Sequence, residues 1–344
     1  MEIFWWQYLI LYVCSATFVG LITPKIREIA IHRNVVDKPT QNHKTHSEPI
    51  PYLGGAGIAI GITVVSYVST TLFASQALSL VSGILIPAFI LGVVGLVDDV
   101  FNLKPFPRFL AQSGVGVFVA LLLIRTKTVG SPTGSELADV FITTIFIVGL
   151  CNAINFFDNI DGGASGAVSI SSTVLLLLSI QSGQYYLAAM AAVLAGSTLG
   201  FLWWNKSPAR IYMGDAGSLF LGVLLASLLV RFEPSPINRI SSFAVPLLVV
   251  AIPILDASVA IATRIFRGVS PFQGGKDHLS HRLMQKGFGK QSAVITLWLM
   301  TVLFGALAIL VSFTPYELEI YVTIFGFILW CLLFAVFVKF PNLN

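Results

Sequence analysis

Residues 82–100 read SGILIPAFILGVVGLVDDV, an apolar run that closes on two adjacent carboxylates, Asp98 and Asp99. About twenty apolar residues in a helix match the hydrocarbon thickness of a bilayer. The arrangement recurs. Asp158 and Asp161 follow an apolar stretch in NAINFFDNIDGGASG (152–166), and Asp215 opens one in IYMGDAGSLFLG (211–222). Carboxylates at such positions are costly and mark places where something polar or cationic is handled. If the three patches face one side of the membrane, they converge into one anionic pocket.

Composition sets the class. Of 344 residues, 56% are hydrophobic and 10% charged, with mean hydropathy +0.86. Soluble domains carry about 25% charged residues, so this is an integral membrane protein with little soluble mass. The net charge of +4 sits in short loops rather than on one face, which is no nucleic-acid footprint. Cys14, Cys151 and Cys331 lie in apolar segments and read as buried hydrophobes, without a disulfide framework or CxxC site. The N-terminus, MEIFWW, lacks a basic region and leads into a run too long for a signal peptide, so it reads as a first span.

Eleven candidate helices follow, near 3–23, 53–73, 79–97, 108–124, 138–156, 166–182, 186–204, 216–231, 241–263, 292–313 and 318–338. Small residues near 54–61, 83–97 and 196–222 suit close packing of helices in lipid. The fold expected is all-α: one polytopic membrane helix bundle over 1–344, with loops near 24–52, 98–107, 157–165, 205–215 and 264–291 on one side. Alternating the loops puts 16 of the 20 Lys and Arg residues on that side. By the positive-inside rule it is cytoplasmic, with the N-terminus outside and the C-terminus inside. All five carboxylates of the three patches, and all five histidines, then fall on the cytoplasmic face.

Each patch has a chemical and a plain reading. Asp98 and Asp99, followed by Asn102 and Lys104, repel each other unless a cation holds them; the plain reading is a charged helix end. Asn152, Asn155 and Asp158 stack along one helix face. Such oxygens suit Mg²⁺, which shares its coordination with phosphate and water; the plain reading is caps and a turn. Asp215 alone is as good an N-cap as a ligand, and Tyr212 is either packing or a platform for a base. The segment RIFRGVSPFQGGKDHLSHRL (264–283) is the most cationic in the chain. His278 and His281 have no third ligand at zinc-like spacing; with Arg282 they look instead like a diphosphate clamp. Lys44 and His46, in the Pro-rich first loop, contact either a lipid phosphate or anionic lipid in general.

In this order, DDVFNLK, NAINFFDNIDG, IYMGDAGSLFLG and SPFQGGKDHLSHRL resemble the polyprenyl-phosphate N-acetylhexosamine-1-phosphate transferases, over nearly the whole chain. The resemblance implies a UDP-amino sugar donor and an undecaprenyl-type phosphate acceptor in the cell's inner membrane, with UMP and a lipid diphospho-sugar as products. It implies Mg²⁺ (Mn²⁺ could substitute) between Asn155 and Asp215. Asp98 and Asp99 match the acidic pair to which the chemistry is assigned, Asn152, Asp158 and Asp161 the donor contacts, Tyr212 the stack on the base, and His278, His281 and Arg282 the phosphate-binding motif. It leaves a homodimer open. HLSHRL stands where N-acetylglucosamine-type members have HLHHRL, and the triple histidine of the muramoyl-pentapeptide branch is absent, which favours an N-acetylglucosamine-like donor. A transporter or flippase would instead carry polar groups at the midplane, where only Asp256 and a few prolines are candidates.

Overall fold

A computed structural model describes residues 4–37, 50–101, 103, 105–125, 133–234, 239–271 and 275–340. Lys44, His46 and Lys104 lie outside the described residues. Every apolar segment singled out in the sequence is helical. The long helices are α1 (Trp5–His32), α2 (Gly54–Phe73), α3 (Leu78–Phe101), α4 (Pro105–Arg125), α5 (Glu136–Phe157), α6 (Gly163–Gln181) and α7 (Tyr185–Asn205). After them come α8 (Gly214–Val230), α9 (Arg239–Val249), α10 (Ala251–Phe266), the short α11 (Leu279–Gln285), α12 (Lys290–Phe313) and α13 (Tyr316–Lys339). A two-stranded antiparallel ribbon pairs Val36–Asp37 with Ile50–Pro51.

Among the described residues nine helices are long and apolar enough to cross a membrane, ten if the bent pair α9–α10 counts as one span. The protein is a multi-pass membrane protein. Large apolar side chains such as Leu72, Phe73, Phe313, Tyr321 and Phe327 are exposed on the outside of the bundle, where only lipid can satisfy them.

The segment expected as one helix over 241–263 is instead broken at Val250, where α9 and α10 meet at 74°. Pro253 has no N–H to give the carbonyl of Val249, and that carbonyl accepts the Ser171 hydroxyl at 2.7 Å. The Ala251 carbonyl takes the Trp330 indole N–H at 3.0 Å. The freed backbone groups are thus satisfied by neighbouring helices, as lipid surroundings require.

Helix α8 is the axis of the bundle, with every residue from Ala216 to Leu229 buried. It is 17 residues long, shorter than its neighbours, and α2, α3 and α5 pack around it. Close approach depends on glycine. A Cβ on Gly55 would strike the backbone of Gly217, and one on Gly95 the carbonyl of Asp215. With no side chain at these positions, α2 and α3 press directly onto the first turn of α8. That contact carries the ends of three motifs to one place.

Candidate active site

The acidic patches meet at the end of the bundle where α3 and α5 finish and α8 begins. Asp98 is buried and accepts the Leu103 N–H at 2.7 Å and Arg108 Nη1 at 2.6 Å. The same Nη1 reaches Asp215 Oδ2 at 2.5 Å, so one guanidinium ties α3, α4 and α8 together. Asp215 Oδ1 accepts from Asn155 Nδ2 at 2.7 Å, and that amide also donates to Ser218 Oγ at 2.9 Å.

Asp99 turns the other way. Its two oxygens accept the backbone N–H groups of Asp215 and Ala216 at 2.9 and 3.0 Å. It caps α8 from another helix, placing a carboxylate on the unsatisfied amides and positive dipole of an N-terminus. Gly214, at φ +67°, makes room, because a Cβ there would collide with the Asp99 carboxylate. The plain reading of Asp215 as its own helix cap fails here: Asp99 does the capping, which leaves the Asp215 side chain free to face Arg108 and Asn155.

The side chain of Asp158, at the end of α5, has no hydrogen-bond or ion-pair partner among the described residues. Its carboxyl is pushed well above the usual range, first by burial and then by the nearby charges of Asp215, Asp99 and Asp161. A carboxylate in this position calls for a cation. Asp161 accepts the Ala209 N–H at 3.1 Å and steadies the loop before α8. Tyr212 sits in that loop, its backbone bonded to Pro51 O at 2.8 Å and to the Gly54 N–H at 2.9 Å. Asn152 donates to Gln112 Oε1 at 2.6 Å and to its own helix. This bond links it to α4.

The cationic loop docks on the end of α5. Ser280 donates to Asn159 Oδ1, and Arg264 lies over the Phe156 ring, 5.3 Å from its centroid. His278 contacts the edge of the same ring. His281 is half-buried with Nδ1 unpartnered; burial and the adjacent His278 push its imidazole down to about 4. Arg282, matched to the phosphate motif, also has a structural task. It is fully buried, its Nε donates to Asp277 O at 2.7 Å and its Nη1 to Phe337 O and Phe340 O, both at 2.8 Å. These bonds pin the loop to α13, while Arg282 Nη2 is buried with no partner among the described residues.

Asp256 also has a partner that the sequence does not show. It is completely buried and holds His278 and the Leu279 N–H. Arg108 and Gln112 belong to no motif, and in the sequence Arg108 is one of many loop cations. Its spacing of nine or ten residues from the acidic pair, one turn into the helix that begins at Pro105, is the signal that could have found it.

Among the described residues no three His, Cys, Asp or Glu side chains gather closely enough to hold a metal ion by themselves. The site offers the carboxylates of Asp215 and the unpartnered Asp158; Asn155 turns its amide nitrogen to Asp215 and would serve as a ligand with the amide turned over. Mg²⁺ characteristically takes one or two carboxylates and completes its shell with water and substrate phosphate, and this set fits that habit.

A bundle of membrane-spanning helices with acidic groups converging at one end, and a cationic loop docked beside them, defines a membrane protein with one charged site at an end of its bundle. Residues 81–233 match the family model described as glycosyl transferase family 4. A probable undecaprenyl-phosphate N-acetylglucosaminyl 1-phosphate transferase of Bacillus subtilis is 30% identical over 318 residues, 90% of this chain and 87% of the relative. The decaprenyl-phosphate N-acetylglucosaminephosphotransferase of Mycolicibacterium smegmatis is 31% identical, covering 85% of this chain and 79% of its own. A phospho-N-acetylmuramoyl-pentapeptide-transferase of Mycobacterium sp. (strain JLS) is 31% identical over 77% of this chain and 84% of its own. The chain belongs to glycosyl transferase family 4, among the enzymes that transfer a sugar 1-phosphate to a polyprenyl phosphate.

Proposed function

We propose that this enzyme transfers N-acetylglucosamine 1-phosphate from UDP-N-acetylglucosamine to an undecaprenyl-type phosphate, releasing UMP, at the cytoplasmic face of the inner membrane. The observation that carries the reading is the meeting of Asp98, Asp99, Asn155, Asp158 and Asp215 at one end of the bundle, tied by Arg108. The relatives whose names carry N-acetylglucosamine favour that sugar. So does HLSHRL, which lacks the consecutive histidines of the muramoyl-pentapeptide branch.

In the reaction an oxygen of the lipid phosphate forms a bond to the sugar-bearing phosphorus, and the bond from that phosphorus to UMP breaks, its electron pair leaving with UMP. Such transfers depend mainly on positioning and on neutralising charge between two polyanions. Asp215 and Asn155, with Asp158 beside them, would hold Mg²⁺, whose chemistry is to neutralise the diphosphate and its departing oxygen. Arg108, between Asp98 and Asp215, is placed to meet an incoming phosphate. Asp99 keeps the N-terminus of α8 in register beneath them. Asp161 and Tyr212 shape the loop where the uridine would rest, and the loop around His278 and His281 closes over the phosphates. The apolar chain of the acceptor lies in the membrane beside the exposed helix faces.

Purified protein in detergent with undecaprenyl phosphate, Mg²⁺ and radiolabelled UDP-sugars tests this reading. Label from UDP-N-acetylglucosamine should enter the lipid fraction with equimolar UMP, and EDTA should stop it. Labelling by UDP-N-acetylmuramoyl-pentapeptide in its place would overturn the donor, and no lipid labelling by any UDP-amino sugar would overturn the reaction.

A further inference from the structure

The buried end of the cationic loop contains a polar chain that the proposed chemistry does not use. Asp256, on α10, is completely buried. Its Oδ2 lies 2.7 Å from His278 Nδ1, and its Oδ1 accepts the Leu279 N–H at 2.7 Å. On the far side of the imidazole, His278 Nε2 lies 3.3 Å from Arg264 Nη2. Arg264 continues the chain: its Nε donates to Asp277 Oδ2 at 3.0 Å and its Nη1 to Pro271 O at 2.9 Å. Arg267 takes the other oxygen of Asp277 at 2.9 Å. The remaining neighbours of the imidazole are Phe156 of α5, at its edge, and His281, with ring centroids 6.0 Å apart.

The roles in this chain follow from what each group can do. A guanidinium has donors only, so the nitrogen facing Arg264 must present a lone pair. A carboxylate accepts only, so the nitrogen facing Asp256 must present a proton. The two constraints agree, and each ring nitrogen is set by the partner of the other. We propose that Asp256 is a positioning residue that locks His278 in the Nδ1–H tautomer and, through Nε2, holds Arg264 over Phe156 at the end of α5. On this view His278 is a buried link rather than a free phosphate ligand. Arg264 is buried and spends its donors on Asp277, Pro271 and His278, so it orders the end of α5 and the loop rather than offering its charge to the donor; Arg267, which shares Asp277, is the exposed cation of the pair. The functional half of this statement rests on the transferase reading above; the tautomer does not.

Asp256→Asn exposes the logic, because it keeps the shape. The Leu279 N–H can only donate, so the amide oxygen must stay with it and the amide NH₂ must turn to His278 Nδ1. That nitrogen becomes the acceptor, the ring proton moves to Nε2, and it meets the donors of Arg264 head-on.

The test uses full-length protein in nanodiscs with ¹⁵N-labelled histidine. The chain has five histidines, and His278→Gln assigns the signal. In the wild type His278 should show a protonated Nδ1 and a bare Nε2. In D256N the pattern should invert, and kcat/KM for the UDP-sugar should fall on the order of tenfold to hundredfold, mostly through KM, per mole of folded enzyme. A wild-type proton on Nε2, or one averaged over both nitrogens, overturns the proposal, and this arm stands even if D256N does not fold. An inverted tautomer with unchanged kinetics overturns the positioning role. Absence of any transfer by the wild type overturns the reaction instead and leaves the nitrogen spectra to decide the tautomer.

Discussion

Replacing Asp99 by Asn separates its structural task from any chemical one. In the native protein both carboxylate oxygens accept N–H groups from the first turn of α8, at 2.9 and 3.0 Å. Asn can offer one oxygen to one of them, and its NH₂ then faces the other donor. One charge-assisted hydrogen bond is lost, about 1.5–3 kcal/mol, together with the attraction of the charge for the helix N-terminus, about 0.3–1 kcal/mol. The variant should therefore be destabilised by about 2–4 kcal/mol, which in a chain of this size lowers Tm on the order of 5 °C. The measurement is thermal unfolding in detergent followed by size-exclusion, alongside turnover per mole of folded protein. Gly214→Ala, whose methyl would meet the same carboxylate, should give a fall of similar size. The double variant should lose less than the sum, because both changes break one contact. A D99N protein that loses turnover with Tm unchanged within about 1 °C would refute the cap and leave Asp99 a purely chemical residue.

Other variants probe the rest of the site. Asp158→Asn removes an unpartnered carboxylate beside three others, so the ligand-free protein should melt higher at neutral pH while donor turnover collapses; a lower Tm would contradict the unpaired reading. An acid whose native pKa is raised loses native stability as pH rises, so this gain should grow with pH above the ordinary carboxylate range and vanish in acid. Arg108→Gln leaves the neighbouring carboxyls of Asp98 and Asp215 without their shared cation. Like charges in contact repel by about 4 kcal/mol at an effective dielectric near 20, so R108Q should melt lower and recover with Mg²⁺ or salt more than the wild type does; equal responses would discount the bridge. His281 is held down to about 4 from an ordinary 6.5. An unfolded chain takes up that proton first, so stability should fall as pH drops from about 6.5 to about 4 and level off below. His281→Gln should flatten that slope, measured by melting at fixed ionic strength; an unchanged slope would place its origin elsewhere.

Much of this was legible before folding. Apolar runs ending in carboxylates place Asp98, Asp99, Asp158 and Asp215 at helix ends, and the structure puts those ends together. Less visible was how the work is divided among them. Asp98 and Asp99 are neighbours on one turn, yet one faces a guanidinium and the other backbone amides, because successive helical residues point about 100° apart. The span over 241–263 looked continuous, since hydropathy does not register a carbonyl that a proline leaves without a donor. Arg282 carries the motif, and only the structure shows it also bonded to the end of α13. Arg108 and Asp256, which carried no motif, turned out to hold the others in place.

The amino-acid sequence by itself determined a membrane-embedded helix bundle, the end at which polar chemistry gathers, and the family's motif order. These follow from composition and period, which each segment carries on its own. Only the tertiary structure decided which groups pair: Arg108 with Asp98 and Asp215, Asp99 with the start of α8, Asp256 with His278. The physical reason is distance along the chain. Asp99 and Asp215 are 116 residues apart, and the close approach of α3 to α8 that joins them depends on the absence of a side chain at Gly95, a property of the packed pair rather than of either helix.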